Sequence, residues 1–367
     1  MVNDALFPPD AKIGDVDPRI RVLHVVEAFG GGVQTALSQY LENSEFAAHK
    51  IVARTRPGHA VGVLEDADLE VFDGNLAQFA NFSNKVIKKF EPHIVHLHSS
   101  YSSLLRVLPM CASRRLVYSP HCFAFERADK NSLQRTFYKR VEEFLHRIRP
   151  AEIAAVSPYE VELATTALKA RDVTLLPNVI RGQDNPHQAS AKDQTAWTRR
   201  VVGVGRITPQ KSPDFFAAVA QRLSGRGIEF VWIGDGDPSL RELLERAGVD
   251  VLGWQTNSTT KQIVRSADLY LHTASWEGAP IAPLEATEVG VPVIARDIAA
   301  LQGLGYFTAG KTVECVSDAV EKFFRSTEFA AEVIRTDRAR ATKYCPSFQR
   351  AALRRLYSIR SETVGVL

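Results

Sequence analysis

Short apolar runs rich in β-branched residues alternate with longer segments of helical period in the first half of the chain. The runs cover residues 20–26, 93–98, 115–119 and 153–156, and a glycine turn with a helix from about Val33 follows the first. Strands separated by helix-length segments are typical of βαβ units and hence of a mostly parallel sheet. The pattern predicts such a sheet with helices on both faces.

The alternation stops at residues 181–198, where the sequence is polar and has no apolar period. It resumes with apolar runs at residues 201–205, 230–233, 269–272 and 291–295. This predicts an α/β protein with two doubly wound, Rossmann-like parallel-sheet domains. Ligands of such sheets bind at the carboxyl ends of the strands. Two facing domains therefore predict a site in the cleft between them.

The same pattern predicts where the parts of the chain begin and end. The expected parts are an N-terminal domain at residues 1–182, a linker at 183–198, a second domain at 199–345 and a tail at 346–367. The tail shows a basic helical pattern from Phe348 to about Arg360. Such a helix could pack on either domain, and we expect it to return to the first.

Composition excludes several classes of protein. The chain has 367 residues, of which 45% are hydrophobic and 24% charged, with a formal net charge of +3. These values argue against a disordered or fibrous protein, and the charge gives no indication of nucleic-acid binding. No apolar run approaches the ~18 residues of a membrane span, and residues 1–18 do not resemble a signal peptide.

The four cysteines are far apart in the sequence and never form a Cys-x-x-Cys pair. That spacing argues against a structural zinc site and a disulfide framework, and it favours a reducing compartment. We therefore expect a cytoplasmic protein, at most peripheral on the inner face of the cell membrane.

The strongest chemical signal is a Gly/Pro loop that carries Glu277 and leads into a helix whose first turn carries Glu285. Such a loop directs backbone N–H groups and the positive end of a helix dipole at a ligand, which suits a diphosphate. Because a carboxylate repels phosphate, we expect Glu285 to bind the two hydroxyls of a ribose and Glu277 to bind other hydroxyls. The alternative is that both carboxylates only stabilise the turn and the helix N-terminus.

A second signal follows the strand that ends at Gly205. The next loop carries Arg206 and Lys211, and Ser212 is placed to cap a helix beginning at Pro213. A guanidinium binds phosphate as a fork and an ammonium as a mobile point charge, so the pair suits phosphate. Solvated surface cations are the alternative. The Gly-x-Gly-Arg sequence lacks the dinucleotide fingerprint spacing, which disfavours a dehydrogenase.

The cationic loop, the two glutamates with seven residues between them and the Gly-x-Pro-Val-Ile sequence at residues 290–294 point to one family. Together they resemble the retaining nucleotide-sugar glycosyltransferases of the GT-B fold, family four, over roughly residues 20–310. Two departures stand out. Ser212 lies where the family usually has glycine, and Ala279 with Pro280 replaces the common Phe-Gly beside the sugar pocket, which leaves the donor sugar open.

The resemblance implies a role for each matching residue. Arg206 and Lys211 would hold the donor diphosphate and neutralise the leaving group. Glu277 would contact the donor sugar and Glu285 the ribose. The rest of the expected donor site in the second domain consists of Gly205, Gly278, Ala279, Pro280 and Ile281.

In the first domain, a run of three glycines follows the opening strand, and glycines let a backbone approach a ligand closely. The run consists of Gly30, Gly31 and Gly32. The resemblance places this loop against the donor phosphate and the acceptor, with a plain tight turn as the alternative. His121, after the third strand, matches the position where the family has a histidine facing the donor sugar. We expect His98 to reach the cleft and His96 to be structural.

Asp235 and Asp237 need separate consideration, because an Asp-x-Asp pair chelates metal in another glycosyltransferase fold. Here the pair sits in a Gly/Pro turn after a strand, which favours a turn. We predict no metal ion and no other cofactor, since Arg206 and Lys211 would neutralise the leaving group. Trp254 follows a strand where the family holds the nucleobase. It could stack on that base or lie half-buried in the core.

Residues 106–149 are strongly basic, with ten Lys and Arg against four Asp and Glu. Apolar residues recur there at helical spacing, namely Leu133, Phe137, Val141, Phe144, Leu145 and Ile148. A basic amphipathic helix can lie on an anionic membrane surface. A core helix with a solvated face is the equal alternative.

The resemblance implies a retaining glycosyltransferase that moves a hexose-type sugar from a nucleotide diphosphate donor to a glycan or lipid-linked acceptor. UDP is the favoured nucleotide and GDP the second, and cell-surface polysaccharide or glycolipid synthesis is the expected setting. No nucleic-acid partner is expected. The alternatives are a nucleotide-sugar epimerase or sugar-phosphate synthase on the same fold, or a non-catalytic nucleotide-sugar binding module.

Overall fold

The computed structural model describes residues 20–27, 29–55, 67–108, 111, 113–180 and 198–358. They form two doubly wound parallel-sheet domains, which confirms the predicted fold class. The predicted linker, apart from its last residue, lies outside the described residues. Within the described part, no helix is both long enough and apolar enough to cross a membrane.

The first sheet, within the described residues, has seven parallel strands in the order β3-β2-β1-β4-β5-β6-β7. The strands are β1 (Ile20–Val26), β2 (Ala47–Arg54), β3 (Leu69–Phe72), β4 (Ile94–His98), β5 (Arg115–Ser119), β6 (Glu152–Ala155) and β7 (Val173–Leu175). The helices are α1 (Gly32–Glu42), α2 (Leu76–Phe90), α3 (Ser100–Ser103), α4 (Ser132–Ile148) and α5 (Pro158–Thr166). Chain order reverses between β1 and β4, at the centre of the sheet.

The second sheet has six parallel strands over residues 198–358, in the order β10-β9-β8-β11-β12-β13. The strands are β8 (Arg200–Val204), β9 (Glu229–Ile233), β10 (Asp250–Val251), β11 (Leu269–His272), β12 (Val293–Ala295) and β13 (Phe307–Thr308). The helices are α6 (Pro213–Arg222), α7 (Pro238–Arg246), α8 (Asn257–Ser266), α9 (Ala282–Glu288), α10 (Val313–Arg325), α11 (Thr327–Lys343) and α12 (Pro346–Tyr357).

Both sheets are covered by helices, and the sequence of their strands reflects this. Six of the seven residues of β1 are buried, and so is every residue of β4, β6 and β11. A strand buried on both faces is expected to be a nearly continuous apolar run. That is why the central strands stand out in the sequence, and why their carboxyl ends are where polar residues can meet a ligand.

The last described helix, α12, returns to the first domain. Its Leu353, Leu356 and Tyr357 belong to the same buried cluster as β1. The Tyr357 hydroxyl lies 2.8 Å from Nδ1 of the buried His96, and Gln349 donates a 2.8 Å hydrogen bond to the Pro177 carbonyl. Helix α12 therefore packs on the first domain, as expected.

Helix α4 leaves an apolar stripe on the surface. Its members are Leu133, Phe137, Phe144 and Ile148, which are 80%, 64%, 60% and 50% exposed. At 3.6 residues per turn they lie within about 60° of one another around the helix axis. The core-helix alternative is therefore wrong for these four positions, which we call the α4 stripe.

We expect Tyr357→Phe to destabilise the protein, because it removes the partner of a buried imidazole nitrogen. An unsatisfied buried acceptor costs about 1–3 kcal/mol, so the melting temperature measured by calorimetry should fall by several degrees. Tyr159→Phe is the matched control. Its hydroxyl contacts Glu126 in a half-buried position where water can replace it, so the fall should be smaller. Equal falls would contradict the assigned role of Tyr357.

Candidate active site

Loops from the carboxyl ends of both sheets meet in the cleft. A Cβ added to Gly32, after β1, would lie 3.8 Å from the side chain of Ile281, in the second domain. A Cβ added to Gly278 would lie 2.7 Å from backbone atoms of His121 and Cys122, after β5. The edges at which doubly wound sheets bind ligands thus face each other and bring predicted residues of the two domains together.

Hydrogen bonds to β9 anchor the start of the loop after β8, which carries Arg206 and Lys211. The backbone N–H of Gly205 donates to the Ile233 carbonyl at 3.0 Å, and the Gly205 carbonyl accepts from the Trp232 indole at 3.0 Å. A Cβ on Gly205 would approach the side-chain carbons of Lys211 to 3.1–3.3 Å, so glycine lets the lysine lie flat over the strand end. Arg206 is half-buried beside it, where desolvation lowers the guanidinium pKa.

Lys211 and Glu277, 66 positions apart in sequence, form an ion pair. The Lys211 ammonium lies 2.5 Å from Oε1 of Glu277, and the two side chains are 22% and 8% exposed. Gln210 lies 3.4 Å from the other carboxylate oxygen. His272 lies 3.8 Å from Glu277, and burial together with the charge of Lys211 lowers the His272 pKa to about 3. The imidazole is therefore neutral and leaves the pair balanced.

The prediction that the Ser212 side chain caps α6 is wrong. Ser212 occupies the N-cap position with a left-handed backbone, φ 49°, and makes no side-chain cap hydrogen bond. Its hydroxyl instead donates to the Pro209 carbonyl at 3.3 Å and contacts the Ser275 hydroxyl. The left-handed conformation, which glycine adopts most readily, turns the side chain back into the loop. Ser212 therefore joins the cationic loop to the loop that carries Glu277.

His121 lies in a strained turn. His121 and Cys122 have φ values of 51° and 98°, two consecutive non-glycine residues in a region that L-residues rarely adopt. The buried carboxylate of Glu160 accepts from the Cys122 N–H at 2.6 Å and from the Val156 N–H at 2.9 Å. Burial raises the pKa of Glu160 to about 7. One of these hydrogen bonds thus holds the turn against which Gly278 packs, and the other ties Glu160 to the backbone after β6.

The sequence analysis did not identify Glu160. It also did not identify Asn178 and Gln39, which lie where the chain passes from the first domain to the second. Asn178 donates to the Ala279 carbonyl at 2.8 Å, which joins the end of the first domain to the loop that carries Glu277. Gln39 of α1 exchanges two hydrogen bonds with the backbone of Val179, at 2.8 and 3.1 Å. The Ser-Pro-x-Glu sequence beginning at Ser157 is a helix-start signal that could have drawn attention to Glu160.

Glu285 lies in the first turn of α9, as predicted, and faces α1 and α8 rather than the Lys211 side of the loop. It lines an open pocket that reaches to Thr35 on one side and to Asn257 and Lys261 on the other. Gly278 and Pro280 are buried in the loop before α9, whereas in the loop after β1 Gly30 is half-buried and Gly31 is exposed. Glu277 and Glu285 therefore lie in different parts of the cleft.

The structure shows how exposed Trp254 is and which groups Asp235 and Asp237 contact. Trp254 is 65% exposed, so the half-buried core alternative is wrong. Asp237 caps α7 by accepting from the Ser239 N–H at 2.9 Å, and Asp235 pairs with Arg241 at 2.9 Å. Both carboxylates thus have structural partners in the turn.

His98 does not itself reach the cleft, contrary to the prediction. It is fully buried on β4, and its Nδ1 lies 3.0 Å from Nε2 of the half-buried His121. His96 is structural, with Tyr357 and Ser119 at its two ring nitrogens. His24, His96 and His98 come close enough to hold a metal ion. All six of their ring nitrogens already have hydrogen-bond partners, which a metal would have to displace.

Two family models match this chain. Residues 45–181 match the model described as Glycosyltransferase Family 4, and residues 198–326 match the model described as Glycosyl transferases group 1. Together the two matches cover most of both sheets.

Two curated proteins illustrate the similarity. An uncharacterized 41.2 kDa protein in the cps region of Klebsiella pneumoniae is 25% identical over 77% of this chain and 82% of its own length. A UDP-Gal:alpha-D-GlcNAc-diphosphoundecaprenol alpha-1,3-galactosyltransferase from Escherichia coli is 28% identical over 58% of this chain and 60% of its own length.

Solved structures show the same architecture at low identity. Anabaena HepE in complex with UDP and glucose superposes with a TM-score of 0.74 at 17% identity, covering 93% of this chain and 100% of its own. Sucrose-phosphate synthase from Thermosynechococcus elongatus gives 0.75 at 14% identity, covering 92% and 98%. The arrangement of the two domains is therefore the GT-B fold.

We expect Gly278→Ala to disturb the contact between the domains, because backbone atoms 2.7 Å from the new Cβ cannot move aside easily. Overpacking of this kind costs about 1–3 kcal/mol, so the melting temperature should fall, or small-angle scattering should show a more open molecule. Gly32→Ala is the control for stability, since its Cβ would make an ordinary 3.8 Å contact. If both readouts for Gly278→Ala match the wild type, the contact is not as described.

Proposed function

This chain belongs to the family 4, group 1 glycosyltransferases, and on that premise we propose that it transfers a hexose-type sugar from a nucleotide diphosphate to a glycan or lipid-linked acceptor without a metal ion. The observation that carries the proposal is the ion pair of Lys211 with Glu277, next to Gly278, where the two domains meet. Cell-surface polysaccharide or glycolipid synthesis is the proposed setting.

The ion pair fits a site that exchanges partners when the donor binds. A diphosphate brings its own negative charge to Arg206 and Lys211, which frees Glu277 to accept hydrogen bonds from sugar hydroxyls. Hydrogen bonds to charged groups contribute about 1.5–3 kcal/mol each. Binding the ground state alone does not accelerate transfer. The two cations act by holding the departing diphosphate more strongly as its charge grows.

UDP is the proposed nucleotide, with GDP second. The support comes from similar proteins. The E. coli relative is named for UDP-Gal, and the HepE structure contains UDP and glucose. Trp254, exposed after β10, offers a face on which a base could stack.

Retention of configuration is proposed through departure and attack on the same face of the sugar. A covalent intermediate would need a carboxylate from the first domain at the sugar. Glu160, which lies under the His121 turn, is occupied by two backbone N–H groups. Glu277 in the second domain is paired with Lys211 and suits hydroxyl binding better than attack.

A lipid-linked acceptor is supported by the E. coli relative, whose name specifies a diphosphoundecaprenol. The α4 stripe gives this chain a surface that suits a membrane, since Arg140 and Arg147 flank its exposed aromatic residues along the same helix. Basic residues beside an apolar face bind anionic lipid. We therefore propose peripheral binding of the first domain to an anionic membrane.

We expect Arg206→Ala and Glu277→Gln to reduce sugar transfer at least about tenfold, since loss of one charge-stabilising group typically costs that much or more. Radiolabelled transfer to an acceptor measures the rate. Arg246→Ala, at an exposed ion pair on α7, is the matched control and should be neutral. Folded variants with wild-type rates would reject the site.

The wild-type protein also serves to identify the nucleotide and to test the alternative functions. A nucleotide at 100 times its dissociation constant stabilises by about 2.7 kcal/mol, so UDP, GDP and ADP can be ranked by melting temperature. Free epimer from donor alone would indicate an epimerase. Donor binding without turnover on any acceptor would indicate a binding module. Activity that EDTA abolishes would reject metal independence.

We expect the protein to co-sediment with vesicles that contain phosphatidylglycerol and to ignore neutral phosphatidylcholine vesicles. Neutralising Lys139, Arg140 and Arg147 with glutamine should weaken binding on the order of 100-fold, because each cation near an anionic surface contributes ~1 kcal/mol. Phe137→Ser with Phe144→Ser should also weaken it. Leu243→Ser, at an exposed apolar position on α7, is the control. If neither set of substitutions nor added salt changes vesicle binding, the α4 stripe is not the membrane-binding surface.

A further inference from the structure

Four imidazoles are hydrogen-bonded in series across the first sheet, from the cleft towards the far strands. His121 bonds to His98 of β4, His98 to His24 of β1, and His24 to His49 of β2, each at 3.0 Å between ring nitrogens. Every step joins an Nε2 to an Nδ1, so all four rings point the same way along the series. We call this set the histidine chain.

The hydrogen bonds at His49, the end of the histidine chain farthest from the cleft, determine which nitrogen of each ring carries the proton. Nε2 of His49 lies 3.0 Å from the backbone carbonyl of Ser44, which can only accept a hydrogen bond. The Ser44 hydroxyl also lies 3.0 Å from this nitrogen and donates its own hydrogen to the Tyr40 carbonyl, so it too accepts. Nε2 of His49 therefore carries the proton, and in a neutral ring its Nδ1 must accept.

The same requirement passes from ring to ring. If Nδ1 of His49 accepts, Nε2 of His24 must carry its proton, and the argument repeats for His98 and His121. The end result is a His121 that donates through Nε2 into the sheet and has no proton on Nδ1. No described residue forms a hydrogen bond with that Nδ1.

The surroundings keep the rings neutral. Burial lowers the pKa of His24 and His98 well below the ordinary value, lowers that of His49, and lowers that of His121 to about 4. A second proton on any ring would set two donors against each other. The neighbouring His96 is satisfied separately, because the Ser119 hydroxyl donates to the Ala154 carbonyl and so accepts from Nε2 of His96, leaving the Tyr357 hydroxyl to donate to Nδ1.

We propose that His49, His24 and His98 are positioning residues, which hold His121 as the Nε2–H tautomer so that its bare Nδ1 accepts a hydrogen bond from a hydroxyl in the cleft. The hydroxyl belongs to the donor sugar or the acceptor, and that part rests on the proposed function. A hydroxyl bound in this way donates a hydrogen bond to His121. Its lone pairs remain able to accept hydrogen bonds from donors elsewhere in the cleft. In the opposite tautomer, His121 would instead offer a proton to the same atom.

The tautomers can be observed without substrate. Long-range 1H–15N correlation spectra of histidine-labelled protein at pH 7 distinguish Nε2–H, Nδ1–H and doubly protonated rings. We expect the Nε2–H pattern for His121, His98, His24 and His49, assigned by single substitutions. An Nδ1–H or charged His121, or a stoichiometric metal in the purified protein, overturns the proposal. This outcome is independent of whether the chain transfers sugar.

Variants at the remote end separate positioning from simple packing. His49→Gln can still donate to Ser44 and accept from His24, whereas His49→Phe can do neither. In His49→Phe the two directions of the histidine chain become comparable in population, so His121 should show mixed tautomers and kcat should fall about twofold. In His49→Gln, His121 should remain the Nε2–H tautomer and kcat should stay at the wild-type value. Unchanged tautomers in His49→Phe would contradict the proposal even if the melting temperature falls.

The ring next to His121 gives a second comparison. His98→Asn places an amide oxygen near the lost Nδ1 and can still accept from His121, whereas His98→Leu cannot. We expect kcat to be higher in His98→Asn than in His98→Leu at similar melting temperature. Equal rates in two folded variants would count against the proposal. Should neither variant fold, the wild-type spectra and the His49 pair still decide it.

Discussion

The close contact of Gly278 with the His121–Cys122 turn is the constraint on which the site depends. A side chain at position 278 would meet backbone at 2.7 Å, so the loop after β11 can approach the first domain only as glycine. The turn on the other side has positive φ at two successive residues, and the buried carboxylate of Glu160 bonds to the second of them. Strain of this kind persists where surrounding structure over-determines it. Here the surrounding structure is α5 on one side and the loop with Gly278 on the other, and both position His121.

The fold could be predicted from the sequence because its central strands are buried on both faces. The predicted runs at 20–26 and 115–119 coincide with β1 and β5, and that at 269–272 coincides with β11. Apart from β2, the strands that were not predicted lie at the edges of the sheets and are short. β3 has no fully buried residue, and β10 and β13 have two residues each, too few to show a period. β2 escaped because its exposed and half-buried positions at Ala48, His49 and Lys50 interrupt the apolar run.

The candidate site was predictable only in part, for a reason that is also physical. Motif residues such as Arg206, Lys211 and Glu277 stand in Gly/Pro loops at strand ends, where local sequence restricts the chemistry. Glu160, Asn178 and Gln39 act through contacts between residues 38 to 140 positions apart, and no local pattern marks such pairs. The His98 prediction failed for the same reason. Alternation on a strand indicates which face a side chain takes, but the neighbouring strands decide whether that face is open or filled with other imidazoles.

The two sides of the cleft differ in their electrostatics, and the difference suits the proposed reaction. The second domain presents Arg206 and Lys211 on one loop, where Glu277 pairs with Lys211. The first domain presents His121 at the end of a series of neutral rings, of which His24 and His98 are fully buried. A cation on that side would compete with Arg206 and Lys211 for the departing diphosphate. A neutral acceptor instead orients a hydroxyl without attracting the phosphate. The structure keeps this side neutral by burial, and a hydrogen-bond series that ends on a backbone carbonyl keeps its direction, since that carbonyl has no alternative tautomer.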